Sequence, residues 1–334
     1  MLVIGNRKIG DGHPTYMIAE IGVNHNGNVD LALQMVEAAK RAGADAVKVQ
    51  IIDPDKSYAK ETESHEIFTR VFIPLECWHK VADKTRELDV DIFATFTHPD
   101  DIAIANELGF PAVKISSSNI TNFPLMKSAA AAGKPLIVST GMAYLSEVDE
   151  AVRYLEEQGV KQMGILHCTS LYPTAPEDVN LRAIDTLKHA FPAYPIGFSE
   201  HTMGIHLSVA AVARGACIIE KHFTLDPKME GPDHYFSSTP EEFAVLVKAV
   251  REVERALGDG VKRPMSKEIP ERAKLQRVLV AVKNIQEGEV FTNENITGKR
   301  SSHRGLPTKW YESVIGHASR RVLAKDDPIT LEDV

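Results

Sequence analysis

The chain is poor in cysteine: Cys77, Cys168 and Cys217 are scattered through 334 residues. An odd, unclustered set excludes a disulfide framework and reads as reduced thiols in a cytoplasmic protein. Long apolar runs are missing too. None approaches the roughly 20 residues that span a bilayer, and residues 1–14 hold no apolar signal-peptide core. No membrane partner is expected. Positive charge is scarce: 38 Lys+Arg face 46 Asp+Glu, a net charge of -8, which argues against a nucleic-acid partner. The deficit is uneven. Residues 1–258 carry 24 Lys+Arg against 35 Asp+Glu, net -11, while residues 259–334 carry 14 against 11, net +3. A tail more basic than the body reads either as a surface for an anionic ligand or as ordinary surface variation. No Gly-x-Gly-x-x-Gly follows the first strand-like run, which weakens a dinucleotide-binding reading.

What the chain does have is an alternation. Eight short runs rich in Val and Ile, at 16–22, 46–52, 91–97, 112–117, 135–140, 163–169, 196–201 and 217–224, read as strands buried on both faces. Helix-like stretches separate them. Residues 29–42 put Leu33, Val36 and Ala39 near one face and stop at Gly43. Ser146-Glu147-Val148-Asp149 looks like a capping box opening a helix over 147–158. Thr239-Pro240-Glu241-Glu242 supplies a cap, a first-turn proline and a third-position glutamate for a helix to about Leu257. Eight βα units predict an α/β fold, a (β/α)8 TIM barrel over 1–258, with a doubly wound open sheet as runner-up. Residues 259–274, with two prolines and many charges, predict a linker. Residues 275–334 change character, with a short strand at 278–282 and turns at 286–289 and 326–328. They predict a small β-rich module, marginal alone.

In such a barrel the active site lies at the C-terminal ends of the strands. Two ends stand out: Ser199-Glu200-His201 and Glu220-Lys221-His222. Two imidazoles on one rim make half of a divalent-metal site, although a lone strand histidine is more often a hydrogen-bonded core residue. Other ends offer Glu20, Thr95, Ser117, Ser139, Ser170 and Tyr172, with Asp233 downstream. His25 is expected to order the first loop and His167 to be structural. Lys48 and Gln50 share a face by strand alternation. Lys48 and Lys114 lie inside apolar strands, where a lysine is costly unless an anion meets it. Among so many hydroxyls they fit a phosphate or carboxylate. Either could instead form a Schiff base, or both could pair with Glu20 and Glu220 as structural ion pairs.

Glu20-Ile21-Gly22-Val23-Asn24-His25-Asn26-Gly27 and Gly43-Ala44-Asp45-Ala46-Val47-Lys48-Val49-Gln50 strongly resemble the sialic acid (nonulosonate) synthase family. So do Lys114-Ile115-Ser116-Ser117, Ser139-Thr140-Gly141-Met142, Glu200-His201-Thr202, Glu220-Lys221-His222-Phe223-Thr224 and Gly231-Pro232-Asp233-His234, in the family's order. The resemblance implies a C-terminal antifreeze-like (SAF) cap over 275–334. It implies a phosphoenolpyruvate-dependent enzyme that condenses phosphoenolpyruvate with an open-chain N-acyl hexosamine, giving a nine-carbon 2-keto acid and phosphate. It implies manganese, with magnesium or cobalt as alternatives, and a domain-swapped homodimer. Position by position, His201 and His222 match metal ligands. Lys48, Lys114, Ser117 and Ser139 match phosphoenolpyruvate contacts, with Gln50, Thr95 and Ser199 alongside. Glu20, Tyr172, Glu220 and Asp233 match catalytic or sugar-side positions, with Lys114 and Ser170 nearby. Arg300 matches a cap arginine that reaches the partner's sugar. Strand 3 departs from the family pattern at Ala94-Thr95-Phe96-Thr97, and the cap departs at Ser301-Ser302-His303-Arg304-Gly305. Those departures bear on the acceptor sugar: N-acetylmannosamine or a diacetamido-dideoxyhexose. The rivals are a Schiff-base aldolase and a non-catalytic polysaccharide-binding or assembly protein.

Overall fold

A short antiparallel hairpin, β1 (Leu2–Ile4) and β2 (Arg7–Ile9), precedes eight parallel strands. These are β3 (Tyr16–Gly22), β4 (Ala46–Gln50), β5 (Asp91–Thr95), β6 (Val113–Ile115), β7 (Leu136–Ser139), β8 (Met163–Cys168), β9 (Ile196–Glu200) and β10 (Ile218–His222). In this computed structural model, which describes residues 1–334, the eight close into a barrel in sequence order, β10 pairing back onto β3. Closure decides for the barrel over the open sheet. The strand ends are trimmed relative to expectation: β4 stops at Gln50 rather than at 52, and β6 keeps three residues. Beyond those points the chain peels away from its neighbours into the loops that carry polar groups. Nearly every strand residue is buried, because one face meets the helices and the other fills the lumen.

The helix signals act as written, with one correction. Asn28 caps Val29–Arg41 by accepting from the N–H groups of Asp30 and Leu31, and Gly43 follows at φ +93°. Thr239 and Glu242 exchange both bonds of a capping box ahead of Pro240–Leu257. The helix expected from Ser146 starts earlier, spanning Leu145–Glu157, and Glu147 accepts from the Tyr144 N–H at 2.7 Å. No helix is long and apolar enough to cross a membrane.

The hairpin was not expected from the sequence. Leu2, Ile4 and Ile9 are fully buried, and Arg7 reaches Asp91 at 2.9 Å and Asp45 at 3.4 Å, at the starts of β5 and β4. It therefore plugs the N-terminal mouth of the barrel. The alternating Leu2 and Ile4, a Gly5-Asn6 turn and Ile9 were the available signal.

The chain divides into two compact units, Met1–Gly258 and Asp259–Val334. The second begins with an exposed helix, Glu268–Leu275, inside the stretch read as a linker. Its core gathers Leu279, Ala281, Ile285, Phe291, Ile296, Leu323 and Ile329. Only β11 (Val278–Ala281) and β12 (Ile296–Lys299) form a ladder; isolated bridges hold the rest.

His25 is buried in the first barrel loop, edge-on to Trp78, with Nδ1 accepting from the Gly27 N–H. Burial lowers its pKa to about 4. The folded value lies below the unfolded one, so the unfolded chain takes the proton first. Stability from neutral His25 is present above about pH 6.5 and is lost as pH falls toward 4, by up to about 3 kcal/mol. His25→Gln should flatten that slope, so urea-unfolding free energies of the two proteins should converge on acidification. Parallel pH curves would refute this.

Candidate active site

Strand alternation fixes which side chains enter the lumen. On β4 these are Lys48 and Gln50, on β9 Ser199 with His201 beyond, and on β10 Glu220 and His222. They surround a cavity of about 450 Å3 that also meets Glu20, Thr95, Lys114, Ser117, Ser139, Ser170, Tyr172 and Asp233. Gly22, at φ +56°, turns the chain over this cavity; a Cβ there would stand 3.2 Å from Glu20 Oε1 and 3.4 Å from Gln50 Nε2.

At the base, Lys48 Nζ lies 2.8 Å from Glu20 and 3.6 Å from Glu220, and it donates to Thr95 Oγ1 at 3.3 Å. Gln50 donates to Glu20, and Ser199 to Glu220. Desolvation pushes the Glu20 carboxyl up, Lys48 only partly opposes this, and Glu220 adds to it. Desolvation also acts on Glu220, but Lys114 and Lys48 outweigh it and hold its pKa below the ordinary value. One outer oxygen of each carboxylate is buried without a partner.

Lys114 differs. It is 2% exposed, yet its ammonium meets only Ser139 Oγ at 2.5 Å and the Ile115 carbonyl at 3.0 Å. No carboxylate forms a salt bridge with it. Burial drives its pKa down, with Glu220 only partly offsetting this. The structural ion-pair reading thus holds for Lys48 and fails for Lys114. Ser117 Oγ accepts from the Gly141 N–H, and a Cβ on Gly141 would collide with both Ser117 and Ser170. The hydroxyls beside Lys114 therefore depend on a bare backbone at that turn.

The two histidines face one another on the rim, ring centroids 5.3 Å apart. His201 Nδ1 lies 2.8 Å from the Thr169 carbonyl, which can only accept, so Nδ1 carries a proton and Nε2 is the atom free to ligate in the neutral ring. Desolvation opposes the charged ring, but Cys168, the Thr169 carbonyl and Glu220 outweigh it and hold the pKa above its ordinary value, so a cation would have to displace a proton there. His222 Nδ1 is buried without a hydrogen-bond partner, 3.6 Å from Asp233 Oδ2. Burial, then His201 and the lysines, holds the His222 pKa well below its ordinary value, so the ring is neutral. Two such imidazoles fit a divalent cation. No set of three His, Cys, Asp or Glu side chains converges as a metal cage, so a cation there would keep positions open. Tyr172 packs on His201 at 4.2 Å and Phe236 on His222 at 4.9 Å. Desolvation raises the Asp233 pKa to about 6, within reach of proton transfer near neutrality.

A family model described as the NeuB family matches residues 35–262, and a SAF-domain model matches residues 276–334. The chain belongs to the NeuB family. It is similar to the N,N'-diacetyllegionaminic acid synthase of Campylobacter jejuni, 37% identical across 94% of this chain and 98% of that protein. It is also similar to the human N-acetylneuraminate-9-phosphate synthase, 36% identical across 98% of this chain and 94% of that one. A crystal structure of N-acetylneuraminic acid synthetase from Leptospira borgpetersenii in complex with citrate superposes with a TM-score of 0.77. That protein is 34% identical, over 82% of this chain and 96% of its own.

Within this NeuB-family barrel, Glu20, Lys48, Gln50, Thr95, Lys114, Ser117, Ser139, Ser170, Tyr172, Ser199, His201, Glu220, His222 and Asp233 all line the one cavity, whereas His25 and His167 do not. Arg300 belongs to the second unit, in a basic concavity with Arg272, Arg277, His303 and Arg304. Sequence reasoning missed Cys168, whose thiol lies 4.0 Å from His201 Nδ1, and Tyr58, Ile67, Phe68 and Met142. Tyr58, and Ile67 and Phe68 on the short helix Glu63–Arg70, are apolar residues in a polar stretch, which was the available signal. His167 Nε2 donates to the Val179 carbonyl at 2.6 Å, and the residue does not line the cavity.

The two lysines should respond unequally to removal of charge. Lys48→Met takes the salt-bridge partner from Glu20 and Glu220 and should cost about 3–5 kcal/mol. Lys114→Met deletes a buried cation that forms no salt bridge, although its field helps hold Glu220 ionised, and should cost about 2 kcal/mol less than Lys48→Met. Chemical unfolding checks both; equal losses would show that the salt-bridge contacts of Lys48 carry no extra stability.

Proposed function

We propose that the barrel condenses phosphoenolpyruvate with an open-chain N-acyl hexosamine to a nine-carbon 2-keto acid and phosphate. N-acetylmannosamine and a diacetamido-dideoxyhexose are the acceptor candidates. The observation that carries the reading is Lys114, a buried cation that meets the Ser139 hydroxyl and the Ile115 carbonyl and forms no salt bridge. Such a group is stabilised when an anion arrives. Lys48 and Lys114, with Ser117 and Ser139, bind the phosphate and carboxylate of phosphoenolpyruvate. Gln50, Thr95, Ser170 and Ser199 complete the polar lining.

Carbon 3 of phosphoenolpyruvate bonds to the sugar aldehyde carbon, water adds at carbon 2, and the C–O bond to phosphate breaks. Glu220, held ionised, supplies negative charge to a cationic carbon 2, and Glu20 is a second carboxyl able to hold a proton there. Asp233 holds or gives a proton at the aldehyde oxygen, and Tyr172 walls the sugar side. His201 and His222 would hold a divalent cation, manganese for preference, that supplies Lewis-acid polarisation of the aldehyde. Phosphate release from phosphoenolpyruvate with manganese and each acceptor tests the reading; silence with both acceptors would sink it. Chelation and His222→Ala should each abolish release.

The lowered Lys114 pKa also suits a Schiff-base nucleophile. Borohydride with substrate should leave Lys114 unmodified; a trapped adduct would favour the aldolase.

We further propose that residues 259–274 link the barrel to a cap, and that Arg300 of one copy serves the barrel of a second in a swapped homodimer. The basic surface around Arg300 and the acidic balance of the barrel sequence support this. Mixing unfolded Arg300→Ala and His222→Ala proteins and refolding them together should restore about a quarter of wild-type activity through mixed dimers. A mixture as inactive as its parents would show that each cap serves its own barrel.

A further inference from the structure

The outer faces of β9 and β10 carry an ion pair where a barrel ordinarily packs apolar side chains against its helices. Lys221 Nζ lies 3.2 Å from Glu200 Oε2, and their side chains are 2% and 0% exposed. Glu200 also accepts from the hydroxyls of Thr202 and Ser208, the latter on the helix His206–Ala213. Lys221 donates in addition to the Thr202 carbonyl at 3.0 Å. Every donor and acceptor in this set has a partner, unlike the unsatisfied groups inside the lumen.

Its place in the register matters. The β9–β10 pairing ends at Lys221 opposite Glu200. His201 is the next residue on one strand and His222 the next on the other. Beyond that last rung, the Lys221 bond to the Thr202 carbonyl ties the backbone just past His201 to β10. On the other side His222 is held in register with Glu20 of β3. Because no third protein ligand converges on the imidazoles, the separation of these two strand ends is what sets the chelate.

We propose that Glu200 and Lys221 are positioning residues for His201 and His222, holding the two imidazoles at metal-binding separation. This rests on the metal reading given above. They touch neither substrate nor cation: strand alternation turns them away from the lumen, and neither lines the cavity. A pair that served barrel stability alone would sit as well at any height on the strands. This pair sits at the last rung.

The test uses the full-length protein, with manganese alone as the probe, followed by electron paramagnetic resonance of the free ion. Glu200→Gln keeps the shape and the hydroxyl partners but removes the charge. The double variant Glu200→Gln/Lys221→Met removes both charges, so neither is left buried and unpaired. In each, the manganese Kd should rise about tenfold or more. The kcat should fall while KM for phosphoenolpyruvate stays within about twofold, and the circular-dichroism spectrum should match wild type. Folded variants that bind manganese as tightly as wild type would overturn the positioning role alone. A wild-type protein that takes up no manganese would remove the metal reading, and this inference with it.

Discussion

Lys48 Nζ lies 2.8 Å from Glu20 and 3.6 Å from Glu220, inside a lumen where all three side chains are nearly inaccessible to water. One ammonium cannot fully compensate two carboxylates at that depth, since each ion has lost its hydration. The imbalance is resolved unevenly. Glu220 gains Lys114 as a second, more distant cation and stays ionised, while Glu20 is pushed toward its protonated form. With Lys114 already lacking a carboxylate, the cavity favours an incoming anion before any acceptor is present. The unsatisfied oxygens of Glu20 and Glu220 call for the opposite partner, a hydrogen-bond donor or positive charge, and a buried acceptor without a donor is tolerated mainly where function uses it.

The closed barrel makes this charge arrangement possible. An open sheet would let Lys48 turn to solvent; a ring of eight strands with a hairpin plug at its base does not. The same strands that place Ser199, Glu220 and the histidines inward place Glu200 and Lys221 outward. Period-two alternation thus builds two polar layers from one pair of sequence segments. Only the inner layer has gaps in its hydrogen bonding.

The fold was legible because each strand is a short apolar run bounded by a cap or a glycine, and those signals agree with one another. Glu20, Lys48 and Lys114 could be read because a charge inside an apolar strand has few explanations. The pairing could not be read: nothing in spacing distinguishes Lys48, which finds two carboxylates, from Lys114, which finds hydroxyls. That difference arises from Glu20 on β3, which pairs with β4, and from Glu220 on β10, which closure sets on the other side of β3. Residues of the loop after β4 escaped for another reason. Tyr58, Ile67 and Phe68 have no strand register to announce which way they face. The hairpin escaped because its apolar residues are few and were weighed only as a possible leader.

Strand residues and loop residues are under different constraints. Changing a lumen residue on β4 or β10 disturbs a buried charge balance, and shifting a strand by one residue would turn every lumen side chain outward. A residue outside the strands, such as Phe68 on its short helix or Met142, can change without either penalty. The anion-binding half of the cavity is made mainly by strands and their ends, and the apolar wall by the segments that follow β4 and β7: Tyr58 and Met142 outside regular elements, Ile67 and Phe68 on the short helix Glu63–Arg70. A family whose members carry the names of different sugars therefore has a physical reason to keep Lys48, Lys114, Glu20 and Glu220 while varying the wall. In this chain that wall is aromatic and aliphatic and holds no cation, so what it contributes to an acceptor is shape and apolar contact rather than charge.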